Sequence, residues 1–211
     1  MFKTAHIAVA CAAICACASA QATPVTSLPG STLYSFPVEN YVGAGPKTVA
    51  PGITWTSENA GSVFGSTGLY LFRSNGNWGG LSMIGTNSGT QTMKLTFSDA
   101  VQGVGAFLNW ARFANGSPDG NQPVIAVFDA GNTLLESYTL NFFTGGGDNT
   151  GEFHGFKRDT SDIKSITFSG SFIGAANLQV LSAPAVPEPE TYALMLGGLL
   201  ALVAAVRRRK S

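Results

Sequence analysis

Few residues in this chain have the type and spacing to do chemistry, and they lie far apart. His154 is the single histidine of residues 21–186, with Glu152 two positions before it and Asp148 six before. Nucleophilic catalysis needs a serine or cysteine, a base and an orienting acid within hydrogen-bond reach, and no Gly-x-Ser-x-Gly elbow accompanies this histidine. His154 therefore reads as a surface or strand-edge residue. Glu136 and Glu152 have the type needed for glycoside hydrolysis, which sets two carboxylates across a cleft. With ten acids in the body some such pair is unavoidable, so no catalytic residue is assigned. Gly145 to Gly151 holds one imperfect copy of a glycine-rich calcium repeat, whose Asp148, Asn149 and Glu152 offer only part of the six to eight oxygens, roughly, that calcium takes. It reads as a loop, and neither a metal site nor a cofactor is expected. Glycan binding has one better candidate. Trp78 sits in Asn75-Gly76-Asn77-Trp78-Gly79-Gly80, where a flat indole could stack on a sugar C–H face while Asn75 and Asn77 meet its hydroxyls. Trp55 and Trp110 sit in apolar, alternating surroundings that suit core or sheet-face roles.

The elements that must position these residues are strands. Gln91 to Phe97 alternates Met93, Leu95 and Phe97 against Lys94 and Thr96, the period of a half-buried strand. Ser98-Asp99-Ala100 reads as a turn into a strand at Val101 to Trp110. After a loop at Asn115 to Pro123 come Val124 to Phe128, the turn Asp129-Ala130-Gly131-Asn132, and Leu134 to Leu140, a hairpin. Phe153 to Lys157, Ile163 to Ser169 and Ala176 to Ser182 follow, and Leu69 to Arg73 leads into an Asn75-Gly76 turn. In Ile163 to Ser169, Ile166 and Phe168 share one face while Ser165, Thr167 and Ser169 share the other. Eight or more short strands at roughly ten-residue spacing predict an all-β, antiparallel two-sheet sandwich of jelly-roll type, with an eight-stranded closed barrel as the main rival.

The two ends of the chain carry addresses. Lys3, the apolar Ile7 to Ala18 and the small residues Ala18-Ser19-Ala20 form a signal peptide over residues 1–20, cleaved by signal peptidase after Ala20, with Ala22 as the second site. All three cysteines, Cys11, Cys15 and Cys17, lie within it, so the exported part has no disulfide or thiol chemistry. Residues 21–185 make one domain. At the other end, Val186-Pro187-Glu188-Pro189 precedes the apolar residues 192–206 and the cluster Arg207, Arg208, Arg209 and Lys210. The prolines prevent helix continuation into the span, and the cations hold the end in the cytoplasm. The 15 residues from Tyr192 to Val206 extend roughly 22 Å as a helix, against a hydrocarbon core of roughly 30 Å. Such a short transmembrane helix suits a temporary stay in the inner membrane.

This order of parts in residues 186–211 resembles the PEP-CTERM sorting signal of Gram-negative bacteria. That resemblance implies recognition and processing by an exosortase on the way to the cell surface or the extracellular matrix. A second resemblance rests on Leu95 to Leu108, Ile125 to Glu136, Gly155-Phe156 and Asp162 to Phe168. Those segments look like the jelly-roll body of many PEP-CTERM proteins, similar in outline to carbohydrate-binding modules. Many such domains open their last strand with an acid before Asn-Leu, and here Ala175-Ala176-Asn177-Leu178 departs from that.

Charge narrows the function further. Without Lys3, the basic tail and the two sorting-motif acids, seven Lys and Arg face ten Asp and Glu, a net charge near −3. A mildly acidic body lacks the basic footprint that nucleic acid requires. The expectation is a non-enzymatic surface or exopolysaccharide-matrix protein, adhesive or glycan-associated, whose partners are signal peptidase, exosortase and exopolysaccharide. The alternative is a secreted polysaccharide hydrolase.

Overall fold

A computed structural model describes residues 23–67, 78–110, 122–144, 150–170 and 172–183, together with 195, 196 and 198. Its strands run in chain order as β1 (Thr23–Val25), β2 (Thr32–Tyr34), β3 (Tyr41–Val42), β4 (Lys47–Ala50), β5 (Ile53–Ser57), β6 (Val63–Ser66) and β7 (Met83–Gly85). Then come β8 (Thr92–Val101), β9 (Gly103–Asn109), β10 (Val124–Phe128), β11 (Leu134–Thr139), β12 (Glu152–Lys157), β13 (Ile163–Ser169) and β14 (Gly174–Leu181). They form two antiparallel sheets. One has the order β1-β12-β9-β14-β7-β6-β3, with β2 also pairing β14, and the other the order β11-β10-β13-β8-β5-β4. From β8 to β14 the chain changes sheet at every connection except the β10–β11 hairpin. That alternation of sheets is the jelly-roll sandwich expected from the period-two segments.

Alternation also explains the core. Met93, Leu95 and Phe97 of β8 turn inward to meet Val104, Ala106 and Leu108 of β9, Ile166 and Phe168 of β13, and Leu178 and Val180 of β14. Trp55 of β5 is fully buried among them, 5.3 Å from the Phe64 ring. Burying each such side chain is favourable by about 1.5–3 kcal/mol, which makes this shared interior what holds the two sheets together.

The details depart from a regular ladder where hydrogen bonding requires it. Ser98-Asp99-Ala100 is not a turn but belongs to β8. Ile163 pairs with Val101 while Ser165 pairs with Thr96, so residues 97–100 bulge out of the β13 ladder and the chain reverses at Gln102 instead. In β14 the register slips between Ala176 and Gln179 around Asn177, whose φ of 52° is a conformation asparagine tolerates better than most residues. The seven strands before β8 were not legible as period-two segments, since they are two to five residues long. The expected Asn75-Gly76 turn and most of the expected 115–123 loop lie outside the described residues.

Candidate functional site

The outer face of the six-stranded sheet is where polar side chains gather. Period-two strands that turn one set of residues to the core must turn the other set out, and here the outward set is dominated by hydroxyls. The registers bring Thr56, Lys94, Thr167, Ala126 and Ser137 side by side across β5, β8, β13, β10 and β11. One step along the sheet a second row places Thr92, Ser169 and Val124 abreast, with Glu58 just beyond the end of β5. Neighbouring strands lie roughly 4.8 Å apart and alternate residues roughly 7 Å apart, so the two rows form a regular grid.

These rows floor an open groove of about 570 Å³, whose lining also includes Phe128, Asn132 and Leu134. That volume is in the range of small-molecule sites. Its polar groups are held in place. The Thr92 and Ser169 hydroxyls are 2.8 Å apart, and the Thr92 backbone N–H donates to Glu58 Oε2 at 3.0 Å. Lys94 Nζ donates to Asn132 Oδ1 at 3.0 Å and lies 6.0 Å from the centre of the Phe128 ring. Asn132 belongs to a turn closed by Asp129, whose Oδ1 accepts the Thr133 N–H at 2.7 Å. Leu134 is more than half exposed beside Phe128, so the groove has an apolar end as well as a hydroxyl floor.

The residues singled out from the sequence fall elsewhere. Trp78 does not offer a stacking face. It is 5% exposed and packs with Val63, Met83 and Ala176 in a cluster on the outer side of the other sheet. Its Nε1 has no hydrogen-bond partner among the described residues. The flanking glycines let the chain fold the indole down, which polar neighbours alone could not reveal. Asn75 and Asn77 lie outside the described residues. So do Val186, Pro187, Glu188, Pro189, Arg207, Arg208, Arg209 and Lys210. Of the expected helix 192–206, Met195, Leu196 and Gly198 are described and are helical. Among the described residues no helix is long and apolar enough to cross a membrane.

His154 sits on β12 against the Phe142 ring, 4.8 Å between centroids, with Nε2 3.5 Å from Glu152 Oε2. Burial lowers its pKa below 6.5 despite the charge of Glu152. It stands on the eight-stranded sheet, away from the groove. Glu136 on β11 and Glu152 on β12 belong to different sheets. No group of three or more His, Cys, Asp or Glu suited to a metal occurs among the described residues.

With this geometry in place, comparison with known proteins gives one decisive match. The model of the PEP-CTERM protein-sorting motif matches residues 185–210. The chain carries a PEP-CTERM sorting motif. The motif makes it an exported protein, sorted through a membrane-anchored signal that an exosortase processes. No curated protein matches the chain. Among solved structures it is similar to a fucose binding module of Streptococcus pneumoniae at 8% identity and a TM-score of 0.34, over 57% of this chain and 86% of that one. A score that low does not establish a common fold, and the groove stands on its own geometry.

Proposed function

We propose that this PEP-CTERM protein is a non-enzymatic surface or matrix protein that holds polysaccharide in the groove of its six-stranded sheet. The observation that carries the reading is the hydroxyl grid ending at Phe128 and Leu134. Sugars present a rim of hydroxyls and a patch of C–H groups. Serine and threonine both donate and accept hydrogen bonds, while a ring and a leucine cover the C–H patch. The destination implied by the sorting motif, a cell surface or exopolysaccharide matrix, supplies such a ligand in quantity.

Binding is favoured over hydrolysis because, among the described residues, Glu58 is the one carboxylate lining the groove, and its Oε2 already accepts a backbone N–H. Two carboxylates flanking a glycosidic bond are what hydrolysis usually requires. One aromatic contact contributes about 1 kcal/mol, so each site is weak and retention arises from many copies on one polymer. Replacing Phe128 and Leu134 together with alanine should reduce retention on the producing organism's exopolysaccharide several-fold, with the thermal midpoint little changed. Unaltered retention with a folded variant would remove the groove from the function, and release of reducing ends by the native chain would establish hydrolysis instead.

A further inference from the structure

We infer that the polysaccharide taken by this groove carries uronate carboxylates, and that one of them seats on the ammonium of Lys94. This rests on the glycan reading above and narrows it to a class. Among the described residues Lys94 is the only cation lining the groove, and it occupies the second place in the five-strand row, between Thr56 and Thr167. Among the described residues its one hydrogen-bond partner is the neutral carboxamide oxygen of Asn132, and it makes no ion pair with any carboxylate there. Within its row the Lys94 ammonium is therefore not held by a carboxylate. Glu58 stands at the second row, where its Oε2 accepts the Thr92 N–H, one step along the sheet from Lys94.

The surroundings of Lys94 fit a sugar acid better than a free anion. Phe128 stands within 6.0 Å of the ammonium, which sets a surface for ring C–H groups beside the place for a carboxylate, as a uronate ring displays them. Thr56 and Thr167 flank Lys94, and the Thr167 hydroxyl, which donates to the Ala126 carbonyl at 3.4 Å, keeps its lone pairs to accept from a sugar hydroxyl. Asn132 is set by the Asp129 turn and has φ 59°, so the partner of Lys94 is positioned before any ligand arrives. The body's net charge near −3 gives a polyanion no general attraction, which concentrates the preference at this one residue.

The test uses the full chain, recovered with its sorting tail in mild detergent, at low ionic strength and with chelator present to stop calcium gelling. Three polyuronates, polygalacturonate, alginate and hyaluronate, are each compared with their esterified, neutral forms. The expected result is that at least one acid form binds about fivefold more tightly than its ester, the size of one partly exposed ion pair. Lys94→Gln should abolish that ratio by weakening the acid form alone, Lys94→Arg should keep most of it, and added salt should erase it. Equal binding of acid and ester, or a ratio unchanged in Lys94→Gln, would overturn the uronate assignment. If the neutral esters still bind and Phe128→Ala abolishes that binding, the glycan reading stands without it. If no polymer binds in either form, both fall.

Discussion

At the scale of single residues, burial separates the side chains that act in structure from those that face a ligand. Trp78 looked like a ligand residue because Asn75, Asn77, Gly79 and Gly80 surround it, yet at 5% exposure its indole is part of a packed cluster. Trp78→Ala should therefore cost about 3–5 kcal/mol of stability, read from denaturant unfolding, rather than only weaken glycan retention. His154 and Asp162 each contribute to how stability responds to acid. Burial depresses the His154 pKa below 6.5, so its imidazole is held neutral. Burial raises the Asp162 carboxyl, but hydrogen bonds from Arg158 and Thr160 and the charge of Arg158 outweigh it and leave the group below its ordinary 3.8. In both cases the unfolded chain binds the proton more readily. Stability contributed by His154 is complete above pH 6.5 and is lost as pH falls through its depressed folded value, and that of Asp162 is lost in a second step below 3.8. Thermal midpoints from pH 7 downward should decline in these two stages, and His154→Gln should flatten the first while leaving the second. An unchanged slope between pH 7 and 5 in that variant would contradict the assignment.

At the scale of elements, strand spacing is the sensitive quantity. Gly105 of β9 and Gly155 of β12 face each other in register. A Cβ added at Gly155 would lie 2.5 Å from the Val104 carbonyl oxygen and 2.7 Å from the Gly105 Cα, both backbone atoms that cannot rotate away. Gly155→Ala should force β9 and β12 apart and destabilise by about 1–3 kcal/mol. Gly131→Ala in the hairpin turn is the control, since its Cβ would meet only side-chain oxygens at 3.4 and 3.6 Å, and it should be close to neutral in the same unfolding measurement. Equal effects at the two sites would mean that the close approach of β9 and β12 is not a constraint.

At the scale of the whole molecule, a β-sandwich carries its own address at one end. The PEP-CTERM motif at residues 185–210 follows the last strand after Leu181 with only a short connection. The sandwich can therefore complete its sheets before the tail is processed, since β14 pairs with β9, β7 and β2 and needs nothing beyond Leu181. Intact-mass measurement of exported protein should find a chain that starts near Gln21 and has lost Tyr192 onward. Recovery of Arg207 to Lys210 in most exported molecules would refute the processing claim.

Local signals were legible and long-range ones were not. The sorting motif, the jelly-roll class, the β10–β11 hairpin and the inward set Met93, Leu95 and Phe97 all follow from short-range rules, because a proline, a charge or a two-residue period acts on its immediate neighbours. The groove does not follow from them. Lys94 and Thr96, and Ser165, Thr167 and Ser169, were visible as the polar faces of two separate strands, and hydroxyls recurring on alternate positions were the available signal. That Thr56, Lys94, Thr167, Ala126 and Ser137 stand in one row depends on pairings between residues 11 to 73 positions apart, set by how the two sheets bury their apolar faces. Trp78 shows the same limit from the other side. Its neighbours in sequence are polar, and only the fold brings Val63, Met83 and Ala176 against its ring. The sequence by itself determined that the protein is exported with a sorting motif and which faces of its longer strands are buried, because those are decided within a few residues. The tertiary structure alone decided which exposed faces meet, because a binding surface is made of residues joined by strand register rather than by the chain.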